Sequence, residues 1–177
     1  MSRSFIKPGT LLLAFLGGVA IGIAKEARAQ TVTPFLISPY YGTTTISQSY
    51  TGSHHAYDYL VRYSQILAAD SGTIRSVRWY SDDPGCHQRY PDPDGVCGYG
   101  LHIRMEHDNG YWTIYGHLGA TAFDLGTTDA YVAQGQVIGT SGHTGFSSGP
   151  HLHFEVRPSE FGTGVDPTNA SAFLWEG

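Results

Sequence analysis

The 177-residue chain predicts an all-β domain, and three observations carry that prediction. Apolar residues recur at every second position in several short runs, which is the strand period. Those runs are punctuated by turn residues, from a chain that holds 23 Gly and 9 Pro. No long apolar stripe with the 3.6-residue period of a helix follows the N-terminal segment. The expected architecture is an antiparallel, two-layer or sandwich-like sheet with little helix.

Taken in order, Tyr57 to Val61 (YDYLV) alternates and reads as the first clear strand. Ile66 to Ala69 leads through the turn Asp70-Ser71-Gly72 into a second pair element, Thr73 to Trp79. Leu101 to His107 sets Leu101, Ile103 and Met105 on one face and His102, Arg104 and Glu106 on the other. Asp108-Asn109-Gly110 then signals a hairpin, because Asn-Gly accepts the positive φ of a tight turn. Tyr111 to His117 returns, and Gln136 to Thr140 and His151 to Arg157 complete the strand set. A short helix is expected near Asn169 to Leu174.

The first 29 residues read differently. Arg3 and Lys7 precede the uncharged run Thr10 to Ala24, and Ala27-Arg28-Ala29 gives a small-residue cleavage pattern. That order is a signal peptide, which implies export to the periplasm or outside the cell and a mature domain over residues 30–177. Removing the leader takes four of the ten Lys and Arg and one of the fifteen Asp and Glu. Six basic and fourteen acidic residues remain, a formal charge of −8. So acidic a chain, with no lysine left, excludes a general nucleic-acid or anionic-lipid surface. No lasting membrane association is expected after cleavage. In an exported chain the two cysteines, Cys86 and Cys97, are expected to pair; so short a loop adds about 3 kcal/mol. They tie the neck of a Pro/Asp/Gly-rich insertion, Ser81 to Gly98, whose Asp92-Pro93-Asp94-Gly95 is turn chemistry.

The chemistry lies in the histidines. In Gly149 to Arg157 (GPHLHFEVR), His151 and His153 share one strand face while Leu152 and Phe154 take the other. Two neutral imidazoles on one face begin a zinc site. His54 and Asp58, four apart, add an imidazole and a carboxylate from a second element. His55 is less suited, because it would face away from Asp58. Three such ligands leave one coordination position open, the catalytic arrangement. With His54, Asp58 and one of His151 and His153 on the metal, the other histidine and His117 are free for proton transfer or oxyanion support.

Three segments in this order, H-x-x-x-D at His54 to Asp58, Y-G-H-L at Tyr115 to Leu118 and G-P-H-L-H-F-E at Gly149 to Glu155, resemble the lysostaphin/LytM-type zinc metalloendopeptidases. Gly135 to Gly145 and Val165-Asp166-Pro167 are similar to the same family's flanking segments. The resemblance implies a groove across the sheet, one Zn2+ per chain and cleavage of peptide bonds in peptidoglycan. It implies His54, Asp58 and His153 as ligands, His151 as general base and His117 as second catalytic histidine. Tyr50 is the nearest candidate for an oxyanion tyrosine. Ala56 stands where the family often has Gly. His102 and His107 are expected on the solvated face, His143 in a Gly-rich turn, His87 in the insertion loop, and Glu155 with Arg157 as a surface pair. A monomer is expected. A non-catalytic wall-binding module and a general secreted protease are the other readings, and the complete ligand set favours the enzyme.

Overall fold

The structure is a computed structural model that describes residues 35–79 and 98–169. The leader at 1–29, both cysteines with residues 81–97 of the insertion, and all but Asn169 of the helix expected near Asn169 to Leu174 lie outside the described residues. Among the described residues there are nine strands and no helix. They are β1 (Ile46–Gln48), β2 (Tyr57–Tyr59), β3 (Gln65–Leu67), β4 (Gly72–Trp79) and β5 (Leu101–Glu106). After these come β6 (Trp112–Thr121), β7 (Ala130–Val132), β8 (Val137–Ser141) and β9 (Leu152–Arg157). All pairings are antiparallel, in the order β1-β2-β9-β6-β5-β4-β7, with β8 branching from β6 and carrying β3. The all-β expectation holds.

Each strand expected from the sequence is present, most with bounds moved by one or two residues. The largest change is at β6, which runs on to Thr121 because it changes partner. Its first half pairs with β9, from Trp112↔Arg157 to Gly116↔His153. Its second half pairs with β8, from Leu118↔Ser141 to Thr121↔Gly139. The hairpin between β5 and β6 closes as the Asn-Gly pair requires. His107 N–H donates to Tyr111 O at 2.9 Å, and Gly110 takes φ +84°.

The alternation sets the core. Ile103 and Met105 of β5, Tyr115 of β6, and Leu152, Phe154 and Val156 of β9 are buried in one cluster with Ile66 of β3 and Ile138 of β8. Tyr115 packs on Phe154 with ring centroids 5.4 Å apart. Each such side chain contributes about 1.5–3 kcal/mol by burial, so this cluster anchors the sheet whose other face carries the histidines.

The opposite face is not the solvated surface expected for it. His102 is 0% exposed, and Arg104 is buried with its guanidinium over the Phe161 ring. His107 is buried too, but on the core side, where it follows Leu101, Ile103 and Met105 in the period of two. Its Nδ1 lies 2.8 Å from Ser71 O and its Nε2 2.8 Å from Thr113 Oγ1. Thr113 continues to the Tyr115 hydroxyl, which accepts from Ala69 N–H. The polar run satisfies groups that would otherwise be costly to bury.

Candidate metal centre and catalytic groove

The register of the sheet assembles the site. Asp58 of β2 lies directly across from His153 of β9, and such cross-strand neighbours touch. Asp58 Oδ1 stands 2.8 Å from His153 Nδ1. On the other side of His153 the β6 partner is Gly116, where a Cβ would crowd the His153 and Tyr99 side chains. The missing side chain leaves room for the imidazole.

His54 arrives from a turn rather than a strand. Thr51 N–H donates to His54 O at 2.8 Å, and His54 N–H donates to Thr51 Oγ1 at 3.0 Å. His54 Nδ1 lies 3.3 Å from Ser49 O, and a carbonyl can only accept. With the proton on Nδ1 toward that carbonyl, Nε2, 3.3 Å from Asp58 Oδ2, is free to share an ion with the carboxylate. His54, Asp58 and His153 each offer a ligand atom, all within 4.8 Å of one another. Two imidazoles and one carboxylate suit a divalent metal with an open position.

His151 and His117 are tautomerically set in the same manner. His151 Nδ1 lies 2.8 Å from Gly149 O, which fixes the proton there and leaves Nε2 as an acceptor. That Nε2 is buried, has no hydrogen-bond partner and stands 3.7 Å from Asp58 Oδ2, an arrangement that fits a working atom beside a metal centre. His117 Nδ1 lies 2.8 Å from Thr144 O, and its ring is 4.6 Å from that of His151. The turn of the His117 side chain into the groove comes from backbone strain. It takes φ +59° at a register shift between β5 and β6, an uncommon conformation for a residue with a Cβ.

The electrostatics divide the rings. Burial, with the neighbouring His153 and His151 rings, pushes His117 down to about 3, so it is neutral at neutral pH. Burial also opposes charge on His153, but its bonds to Asp58 and Glu155 outweigh that and raise it to about 9. Burial pushes the Asp58 carboxyl upward, and the surrounding His153, His151 and His54 rings more than offset it, so it stays below its ordinary value.

Other residues border the site. The Tyr50 hydroxyl donates to Gly164 O, a residue of the groove wall, at 3.1 Å. His55 lies at the groove rim against Tyr50, with ring centroids 5.6 Å apart. His143 is exposed, with Nε2 3.2 Å from Ser147 O. The groove over the cluster has a volume of about 960 Å³, and exposed Phe146 and Phe161 stand in its walls. Glu155 and Arg157 are not a surface pair. Glu155 is 6% exposed, and its Oε1 lies 3.0 Å from His153 Nε2. The sequence carried a signal for this, since 153, 155 and 157 share one face of β9 by the period of two.

Known proteins are similar to this chain in sequence and fold. Lysostaphin of Staphylococcus simulans is 31% identical over 119 residues, covering 66% of this chain and 21% of that protein. The DD-carboxypeptidase/endopeptidase Mpg of Neisseria meningitidis is 40% identical over 74 residues, 42% of this chain and 16% of Mpg. The chain thus spans only about a fifth or less of the length of these relatives. Among solved structures, the catalytic domain of S. simulans lysostaphin aligns with a TM-score of 0.52 and 26% identity, over 75% of this chain and 92% of that one. Helicobacter pylori Csd3 aligns with a TM-score of 0.59 and 25% identity, over 82% of this chain and 34% of that one. The profile described as Peptidase family M23 matches residues 52–167, a span that contains His54, Asp58, His117, His151 and His153, and with that match the chain belongs to this metallopeptidase family.

Proposed function

We propose that the protein is an exported zinc metalloendopeptidase that cuts peptide bonds of peptidoglycan. The observation that carries this reading is the cluster of His54, Asp58 and His153 on the groove floor, with the acceptor Nε2 of His151 beside it. Similarity to the peptidoglycan DD-endopeptidase ShyA of Vibrio cholerae, 42% identical over 57 residues, 32% of this chain and 13% of ShyA, supports peptidoglycan as the substrate. The leader-like residues 1–29 support export to the periplasm or beyond, followed by release as a monomer; a Cys86–Cys97 disulfide belongs to the same reading.

His54 Nε2, an Asp58 oxygen and His153 Nδ1 would hold the zinc. When bound, it supplies Lewis acidity that lowers the pKa of water and polarises a carbonyl. The protein's own groups do the rest. His151 takes the proton of the attacking water at Nε2, while the Gly149 carbonyl holds Nδ1–H and stabilises the imidazolium that forms. The charged ring then returns the proton to the departing amine. His117, neutral, presents a second acceptor that orients the water. A donor role for His117 at the oxyanion would need its other tautomer, which the Thr144 carbonyl opposes. The groove walls, with Phe146 and Phe161, align an extended peptide over the floor.

Purified sacculi incubated with the protein, with His151→Ala and with chelator-treated protein provide the test, with released muropeptides identified by mass. The wild-type protein should release peptide-cleaved fragments. His151→Ala should still bind zinc yet release them at least about 100-fold more slowly, and the chelated protein should release none. Equal release by the variant removes the mechanism. Intact sacculi with bound protein indicate a wall-binding module instead.

A further inference from the structure

Strand β9 sends Leu152, Phe154 and Val156 into the core and His153, Glu155 and Arg157 to the groove face. On that face the side chains form a hydrogen-bonded chain. Asp58 Oδ1 meets His153 Nδ1 at 2.8 Å, and His153 Nε2 meets Glu155 Oε1 at 3.0 Å. The Tyr99 hydroxyl donates to the same Glu155 Oε1 at 2.5 Å. Arg157 Nε donates to Glu155 Oε2 at 2.6 Å, and its Nη2 donates to the Tyr99 hydroxyl at 2.6 Å. Glu155 is therefore gripped at both oxygens, by two groups that also grip each other.

We propose that Glu155 is a positioning residue for the metal centre: it holds His153 by Nε2–H, so that Nδ1 is the nitrogen turned to Asp58 and the ion, and Tyr99 and Arg157 lock Glu155 in place. This rests on the metal-site reading above. Two alternatives for the carboxylate are weaker. A clip that only ties β9 to the loop at Tyr99 has no need of an imidazole contact, and a buried ion pair is in any case a poor source of stability. A fourth metal ligand is blocked, because both Glu155 oxygens are already engaged. The charges also suit a positioning role. A second carboxylate beside the centre would cancel the residual positive charge of a zinc held by one aspartate. Arg157 neutralises Glu155 in place, so the centre keeps its Lewis acidity while His153 gains a basic, oriented nitrogen. Outer-sphere carboxylate–imidazole pairs of this kind typically alter metal affinity 10- to 100-fold.

The test measures zinc affinity by competition with a chelator, together with the visible d–d absorption of the cobalt(II) form. It compares wild type, Glu155→Ala, Glu155→Gln and Tyr99→Phe, each checked for folding without metal by far-UV circular dichroism. Glu155→Ala should bind zinc about 10–100-fold more weakly and shift the cobalt bands. Glu155→Gln, which keeps an acceptor for Nε2–H, should recover part of that loss. Tyr99→Phe removes one contact and no charge, and should weaken binding a few-fold. If Glu155→Ala fails to fold, Tyr99→Phe decides alone. Folded variants with wild-type affinity and unshifted cobalt bands overturn the proposal and leave the metal site standing. A wild-type protein that binds no zinc overturns the metal site itself.

Discussion

Three histidines, two buried and one half-buried, make the stability of the metal-free protein depend on pH from both sides. An unfolded histidine titrates near 6.5. Burial depresses His107, and burial with two neighbouring rings takes His117 to about 3. The unfolded chain then binds more protons than the folded one below pH 6.5, so this share of stability is complete above 6.5 and is lost as pH falls toward 3. His153 is the reverse case. Its bonds to Asp58 and Glu155 raise it to about 9, so its share is complete below 6.5 and is lost as pH rises through 9. Urea midpoints of the chelated protein should peak near neutrality and fall on both sides, and a flat alkaline limb would contradict the His153 assignment. Zinc should flatten that limb, because the ion displaces the His153 proton. The convergence of His54, Asp58, His117, His151 and His153 was legible in the sequence because residue type and spacing carry it. The burial of His102 and Glu155 was not, whereas His107 was misplaced, since the alternation that puts Leu101, Ile103 and Met105 in the core puts it there too. Alternation says which face a side chain takes, and it does not say what covers that face.

At the scale of elements, two loops hold the groove by touching backbone to backbone. Gly100 at φ +58° and Gly145 at φ +72° cross so closely that a Cβ on either would collide with the other's main chain. The crossing fixes Thr144, which accepts from His117 Nδ1–H through its carbonyl, accepts from Leu101 N–H and donates to Leu118 O. Gly145→Ala should cost roughly 2–3 kcal/mol, from left-handed strain plus displacement. It should also slow turnover more than metal binding, since His117 loses its clamp. Urea unfolding and zinc titration of the same variant separate the two effects. The strands expected from the sequence were legible because each alternates or follows a turn signal. The edge strands β1 and β7 were not, because no alternating apolar run marks them; Ile46, in β1, even faces solvent. Their register comes from β2 and β4, not from any pattern of their own.

For the whole molecule, a resident ion stabilises the folded state by mass action. Zinc at 100 times its dissociation constant adds about 2.7 kcal/mol, which for a chain of this size raises the unfolding temperature by roughly 5–10 °C. Calorimetry with and without chelator should show that shift, and coincident transitions would mean no ion is held. The all-β class was readable from periodicity, whereas the branch in the sheet was not, because nothing in the run from Trp112 to Thr121 marks where β6 exchanges β9 for β8. That exchange falls around His117, where two seams of hydrogen bonds meet. Because side chains alternate sides, one residue inserted into either seam would swing the imidazole to the far side of the sheet. A redesigned scaffold with every histidine motif intact, but one seam slipped, would fold around a sound interior and stand chemically mute.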